Sequence, residues 1–248
     1  MIEGKNYLSV VIPVYNEVEN ISPLVKEIEK ALHCKNINYE LILVNDGSTD
    51  ETKIEIQKVI QDFSRVRLCD LPENTGQGLA LAAGIEMVKY PIICTLDGDL
   101  QFSPANIVSC YFEFLNENLG LICGRRAVRN DDKLTKTIPS IAGNKLISLL
   151  FNTDLSDVGC SLKIFKKSDI DKIRPFKNYH RYISILLIFL GVTYKEVSVE
   201  HRERRYGESK YTAMKFIGVL FEVFWMRLVY LPRIKRVQQN DQARISNS

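Results

Sequence analysis

The chain has 248 residues, of which 46% are hydrophobic and 25% charged, so it can bury a sizeable core and is neither disordered nor fibrous in composition. Its formal charge of +3 conceals a split: residues 1–124 carry 9 Lys and Arg against 18 Asp and Glu, and residues 125–248 carry 24 against 12. An acidic half suits a cation and a basic half suits anions, which points to two tasks in one chain.

The N-terminus, MIEGKNYLSVVIPVYNE, lacks the basic and long apolar regions of a signal peptide, and none is expected. The cysteines at 34, 69, 94, 110, 123 and 160 show no C-x-x-C spacing and mostly lie in apolar stretches. Neither disulfides nor a thiolate metal site is expected, and a reducing cytoplasmic setting fits best.

Five apolar runs of strand length come in order: 8–15, 39–44, 66–71, 91–96 and 119–124. Segments of helical spacing separate the first four. Ser22 followed by Pro23 reads as an N-cap and first helical position, with Leu24, Val25, Ile28 and Leu32 as the apolar face. Ile54, Val59, Ile60 and Phe63 mark a second helix, and Leu79, Ala82, Ala83 and Val88 a third. Continuous apolar strands alternating with helices predict an α/β fold with a mostly parallel sheet covered on both faces. Residues 182–191, YISILLIFLG, read as a core helix.

Ligands of such sheets gather beyond the carboxyl ends of the strands. Three polar loops fall there: VYNEVEN (14–20), NDGSTD (45–50) and DGDLQ (97–101). Glu17 and Asp46 can accept hydrogen bonds from a base or a ribose. If the strand continues past Thr95, Asp97 and Asp99 point to one side, because residues i and i+2 share a face. With the amide oxygen of Gln101 they form a hard oxygen set suited to Mg²⁺ or Mn²⁺, which keeps open positions for a diphosphate. Gly76-Gln77-Gly78 matches neither phosphate-loop spacing and reads as a tight approach into the helix near Leu79.

Taken in order and spacing, VVIPVYNEVENI, NDGSTDET, NTGQGLALAAGI, LDGDLQFSP, DVGCSLKIFKK and HRERRYGESKY resemble glycosyltransferase family 2 with its GT-A fold. The last two are similar to the branch containing dolichol-phosphate mannose synthase and undecaprenyl-phosphate aminoarabinose transferase. The resemblance spans roughly residues 7 to 231. It implies inverting transfer of a sugar from a nucleotide diphosphate sugar to a polyprenyl phosphate, giving a lipid-linked donor for envelope glycan or lipid modification. It places the nucleotide against Pro13, Tyr15, Glu17, Asp46 and Asp97, and the metal at Asp97, Asp99 and Gln101. Arg125, Arg204 and Lys210 match the diphosphate and acceptor side. Catalytic work falls to Asp99, Arg204 and Asp157, the last as a general base or as an orienting group. Position 77 is Gln where mannose synthases often carry Lys, which leaves the donor open between UDP- and GDP-linked sugars. The rival readings are transfer to a growing polysaccharide or glycolipid, and a non-catalytic partner that holds a lipid or a protein.

A single domain, 1–231, is expected, with a nucleotide-sugar half (1–124), an acceptor and membrane half (125–231) and a disordered tail at 232–248. Two amphipathic segments suit a lipid interface. Residues 125–152 join a basic stretch to IAGNKLISLLFN, and 211–232 form an apolar helix interrupted by Glu222 and Arg227, too short for a full span. The expected partners are the sugar nucleotide, the polyprenyl phosphate and the cytoplasmic membrane surface, with no nucleic acid. A second copy or a membrane-spanning partner is the competing use of the apolar helix.

Overall fold

A computed structural model of the chain describes residues 7–127, 147, 149–202 and 224–231. Seven strands form one sheet: β1 (Tyr7–Val14), β2 (Asn38–Asp46), β3 (Val66–Leu71), β4 (Ile92–Thr95), β5 (Leu121–Arg126), β6 (Lys163–Lys166) and β7 (Tyr194–Val199). Their spatial order is β3-β2-β1-β4-β6-β5-β7. All neighbours pair in parallel except β6, which runs antiparallel to both β4 and β5. The sheet is therefore mostly parallel, as the alternation predicts. The antiparallel insert and β7 are additions to the five strands read from sequence.

The helices are α1 (Val18–His33), α2 (Thr52–Asp62), α3 (Gln77–Glu86), α4 (Pro104–Asn116) and α5 (Tyr179–Phe189), with a single turn at Lys167–Ile170. On one face of the sheet, α1, α2 and α4 enclose the main core with Leu8, Val10, Ile12, Leu41 and Leu43. Ile21, Leu24, Val25, Ile28 and Leu32 of α1 are all fully buried there, each worth about 1.5–3 kcal/mol as an upper estimate. On the other face α3 lies against β1 and β2 and packs on α5.

Three helix assignments need correction. Helix α1 begins at Val18, so Ser22 is not its N-cap and Pro23 lies inside it. Asn20 N–H already bonds the Glu17 carbonyl at 2.9 Å, and the buried Ile21 rewards the earlier start. In α2 the buried face is Thr52, Ile56 and Val59, while Ile54 is 50% exposed. In α3, Leu79 is exposed and the sheet meets small residues instead. A Cβ on Gly84 would sit 2.5 Å from Val11 Cγ1 and 2.6 Å from Val44 Cγ2, so only glycine permits this approach.

The chain parts into two compact units. One is residues 1–129 and 157–208, and the other is 130–156 and 209–248. Residues 157–202, on the basic side of the charge count, thus belong to the first unit. In the second unit the described residues include the exposed Leu149, Phe224, Trp225 and Leu228. Among the described residues no helix is long and apolar enough to cross a membrane. The cysteines are all free thiols.

Candidate active site

Strands β1, β2 and β3 step outward in one direction, and the chain then returns to place β4 on the other side of β1. Such a reversal opens a crevice at the carboxyl ends of the flanking strands. All three polar loops read from sequence emerge at this end of the sheet.

The first two loops are sewn together. Asn16, in the left-handed region at φ 55°, accepts from Thr49 N–H at 2.8 Å and donates its backbone N–H to Ser48 Oγ at 3.0 Å. Glu17 N–H reaches Thr52 Oγ1 at 2.9 Å, and the Glu17 carboxylate accepts from the Asn20 amide. Pro13, Tyr15 and Glu17 are half-buried beside them. Asn16 carries this junction and was not singled out from sequence.

Asp46 ends β2 almost fully buried. Its carboxylate accepts from Thr75 N–H (2.7 Å), Thr75 Oγ1 (2.9 Å) and Gly76 N–H (3.0 Å). A carboxylate offers roughly four acceptor directions, so one is left for a ligand. Most of what Asp46 does in this structure is to fix the loop that opens α3. Gly47 makes that possible: at φ 62° it lies so close to the loop that a Cβ would fall 2.3 Å from the Glu73 carbonyl carbon.

Strand β4 stops at Thr95, so Asp97 and Asp99 do not ride on a continuing strand. They lie on an irregular turn, and turn geometry rather than strand alternation sets their directions. Leu100, buried and at φ 61°, takes the left-handed conformation that a bulky side chain rarely adopts. Such strain persists where surrounding contacts over-determine it, and here they do. Gln101 N–H bonds Asp99 Oδ1 at 3.2 Å, and the Gln101 carbonyl accepts from Arg202 N–H at 2.7 Å. Phe102 pairs with His201, and the Arg202 guanidinium reaches Glu27 and Ser103, each at 3.0 Å. Arg202, which sequence reading passed over, therefore pins the turn from outside.

The electrostatics of this turn are acidic. Burial first, and the Asp99 charge second, push the Asp97 carboxyl up to about 6. Two crowded carboxylates with an amide beside them are hard donors, and a divalent cation would relieve their mutual repulsion. Among the described residues no three His, Cys, Asp or Glu side chains gather as a closed metal cage. The set fits an ion that keeps open positions for ligand oxygens. Behind it, Lys163 is only 2% exposed and donates to the Cys160 carbonyl. Thr95 Oγ1 bonds the Ser161 carbonyl at 2.7 Å, tying the end of β4 to the same 157–161 loop.

Asp157 opens that loop. It accepts from Arg126 Nε and Nη2, both at 2.7 Å, and from Arg126 N–H at 3.2 Å. Its own N–H donates to Glu196 Oε1 at 3.0 Å. Arg125, the neighbour expected to meet phosphate, is exposed at the end of β5. Arg204 and Lys210 lie outside the described residues.

The family model of Glycosyl transferase family 2 matches residues 9–174, two thirds of the chain and every loop described above except the 200–202 segment. The chain belongs to that family. It is a glycosyltransferase with the GT-A fold. Dodecaprenyl-phosphate galacturonate synthase of Rhizobium johnstonii is 35% identical over 227 residues, covering 89% of this chain and 67% of that protein. Undecaprenyl-phosphate 4-deoxy-4-formamido-L-arabinose transferase of Photorhabdus laumondii is 34% identical over 219 residues, covering 87% of this chain and 66% of that protein. This glycosyltransferase thus spans about two thirds of the length of the curated relatives it matches. Among solved structures, glucosyl-3-phosphoglycerate synthase from Mycobacterium tuberculosis, crystallised with Mn²⁺ and UDP-glucose, aligns with a TM-score of 0.66. At 18% identity, over 88% of this chain and 79% of that one, the likeness is one of fold.

Proposed function

We propose that this glycosyltransferase moves a sugar from a nucleotide diphosphate sugar to a polyprenyl phosphate, with inversion at the anomeric carbon. The observation that carries the reading is the Asp97–Asp99 turn, set at the sheet's switch point beside the loop that Asp46 holds. Two curated relatives of this chain, alike over nearly nine tenths of it, are named for polyprenyl-phosphate products.

The donor nucleotide lies along Pro13, Tyr15, Glu17 and Asp46, with its diphosphate toward Asp97, Asp99 and Gln101. These three would hold Mg²⁺ or Mn²⁺, which when bound neutralises the charge growing on the leaving diphosphate. A phosphate oxygen of the acceptor attacks the anomeric carbon in line with the departing diphosphate. A phosphomonoester has its second pKa near 6 and is largely a dianion at neutral pH, so alignment matters more than a base. Asp157 therefore serves as the orienting group: its bidentate grip on Arg126 sets the end of β5, where Arg125 meets phosphate. Arg204 and Lys210 complete the acceptor side. The enzyme works at the cytoplasmic face, attached peripherally through its basic, apolar second half.

The test is a transfer screen in which radiolabelled UDP- and GDP-sugars are offered with a short polyprenyl phosphate. Label moving into the lipid phase with one donor supports the reading. Label moving only to polysaccharide or water overturns it.

A further inference from the structure

The bond from Gln77 Nε2 to Asp97 Oδ1, at 2.7 Å, joins the first residue of α3 to the carboxylate turn. A lone amide–carboxylate contact with one exposed partner is ordinarily worth little. Three features set this one apart. Asp97 is crowded by Asp99, so the direction its oxygens take matters to any cation between them. Gln77 carries no charge, so it can hold one oxygen of Asp97 without offsetting the negative charge that attracts a dication. And Gln77 is itself placed from both sides.

On one side, Asp46 accepts from Thr75 and Gly76, the two residues that lead into the helix. On the other, Gly78 is buried so tightly that a Cβ there would lie 2.2 Å from the Lys177 carbonyl oxygen and 2.9 Å from Tyr179 N. Gly76, at φ 89°, makes the turn between them. The backbone of residue 77 is thus clamped between β2 and the start of α5, and its side chain spans to the turn after β4. The connected path runs Asp46, Thr75 and Gly76, Gln77, Asp97.

We infer that Gln77 is a positioning residue for the cation site: it holds Asp97 by one oxygen, leaving the other directed at the ion, and adds no charge. This rests on the metal reading above. Partners that orient a ligating group typically change metal affinity about 10- to 100-fold when removed.

The experiment is Mn²⁺ binding to the full chain, read by electron paramagnetic resonance of free Mn²⁺ without nucleotide. Gln77→Met keeps the length and helix propensity but removes the donor, and should weaken Mn²⁺ by about 10-fold or more. Its urea midpoint should match wild type, because Gln77 is exposed. Thr75→Val, which loses only one of the bonds that place the loop, should weaken Mn²⁺ by a smaller factor. Equal binding by wild type and Gln77→Met overturns the inference and leaves the metal reading standing. A wild-type chain that leaves Mn²⁺ free both alone and in the presence of UDP or GDP overturns both.

Discussion

Arg126 grips Asp157 through two parallel bonds of 2.7 Å, and its backbone N–H adds a third at 3.2 Å. A carboxylate so engaged is poorly placed to accept a proton from substrate. The pair is buried on the Asp157 side and partly exposed on the Arg126 side. Breaking it should cost about 2–4 kcal/mol, between the surface-pair and buried-pair ranges because water reaches Arg126. Asp157→Asn should therefore lower the urea midpoint and reduce turnover, but leave the shape of the pH–rate profile unchanged. A profile whose acidic limb disappears in Asp157→Asn would restore the general-base role.

Asp99 offers a sharper test of the metal reading. It is nearly buried and accepts from Gln101 N–H, but Arg202 holds the same turn through the Gln101 carbonyl, Glu27 and Ser103, so Asp99→Ala should fold. Transfer should be abolished, and wild-type transfer should stop in excess chelator and return with Mg²⁺ or Mn²⁺. Far-ultraviolet circular dichroism beside the transfer assay separates lost chemistry from lost fold. Undiminished transfer in chelator removes the cation from the mechanism.

Much of the fold was readable because β1, β2 and β4 are buried and apolar over most of their length, while the edge strand β3 still keeps apolar residues at 66, 68, 69 and 71. Strand β7, YKEVSV, mixes charged, polar and apolar residues on a half-exposed edge, and β6 is only four residues long, so neither run stood out. The face of α3 was misread where the sheet meets glycine: Gly84 is a contact point, and hydropathy gives it no weight. The carboxylates at 97 and 99 were found for their chemistry, although the turn after Thr95 places them by a different geometry. Asn16 and Arg202 carry the site through long-range bonds that no local pattern announces, and Lys163 is buried behind it. Lys163 in particular sits in the run LKIF, where a lysine ordinarily marks a solvent face.

His180 supplies a pH dependence with a definite sign. Its Nδ1 is buried without a hydrogen-bond partner, and burial, with the Arg181 and Lys163 charges, pulls its pKa down to about 3. The unfolded chain protonates this ring near 6.5, so between 6.5 and 3 the unfolded state binds the extra proton. The stability that neutral His180 contributes is complete above about 6.5 and is lost as the pH falls toward 3. Urea unfolding of wild type should weaken relative to His180→Asn by up to about 1.4 kcal/mol per pH unit between pH 6 and 4. Parallel curves for the two proteins would show that the ring does not titrate as this burial requires.

On the proposed function the acceptor's phosphate sits at a bilayer surface, and the donor site must be brought to it; among the described residues no helix is long and apolar enough to cross a membrane. The described part of the second unit shows what could do this: Leu149 is 80% exposed, Leu228 71% and Phe224 50%, with the exposed Arg227 beside them. Leu228 lies within a short π-helical segment, Met226–Tyr230, that Phe224 and Trp225 lead into. Large apolar side chains left open beside basic residues suit an anionic interface. Sedimentation with anionic vesicles should carry the protein down at low salt and release part of it as salt rises, because screening shortens the reach of surface charge. The remainder should come off only with detergent, and Leu228→Glu should shrink that remainder. The same apolar face could instead bury against a second copy. No sedimentation at low salt, together with a stable dimer in solution that Leu228→Glu dissociates, would assign the face to the interface between subunits.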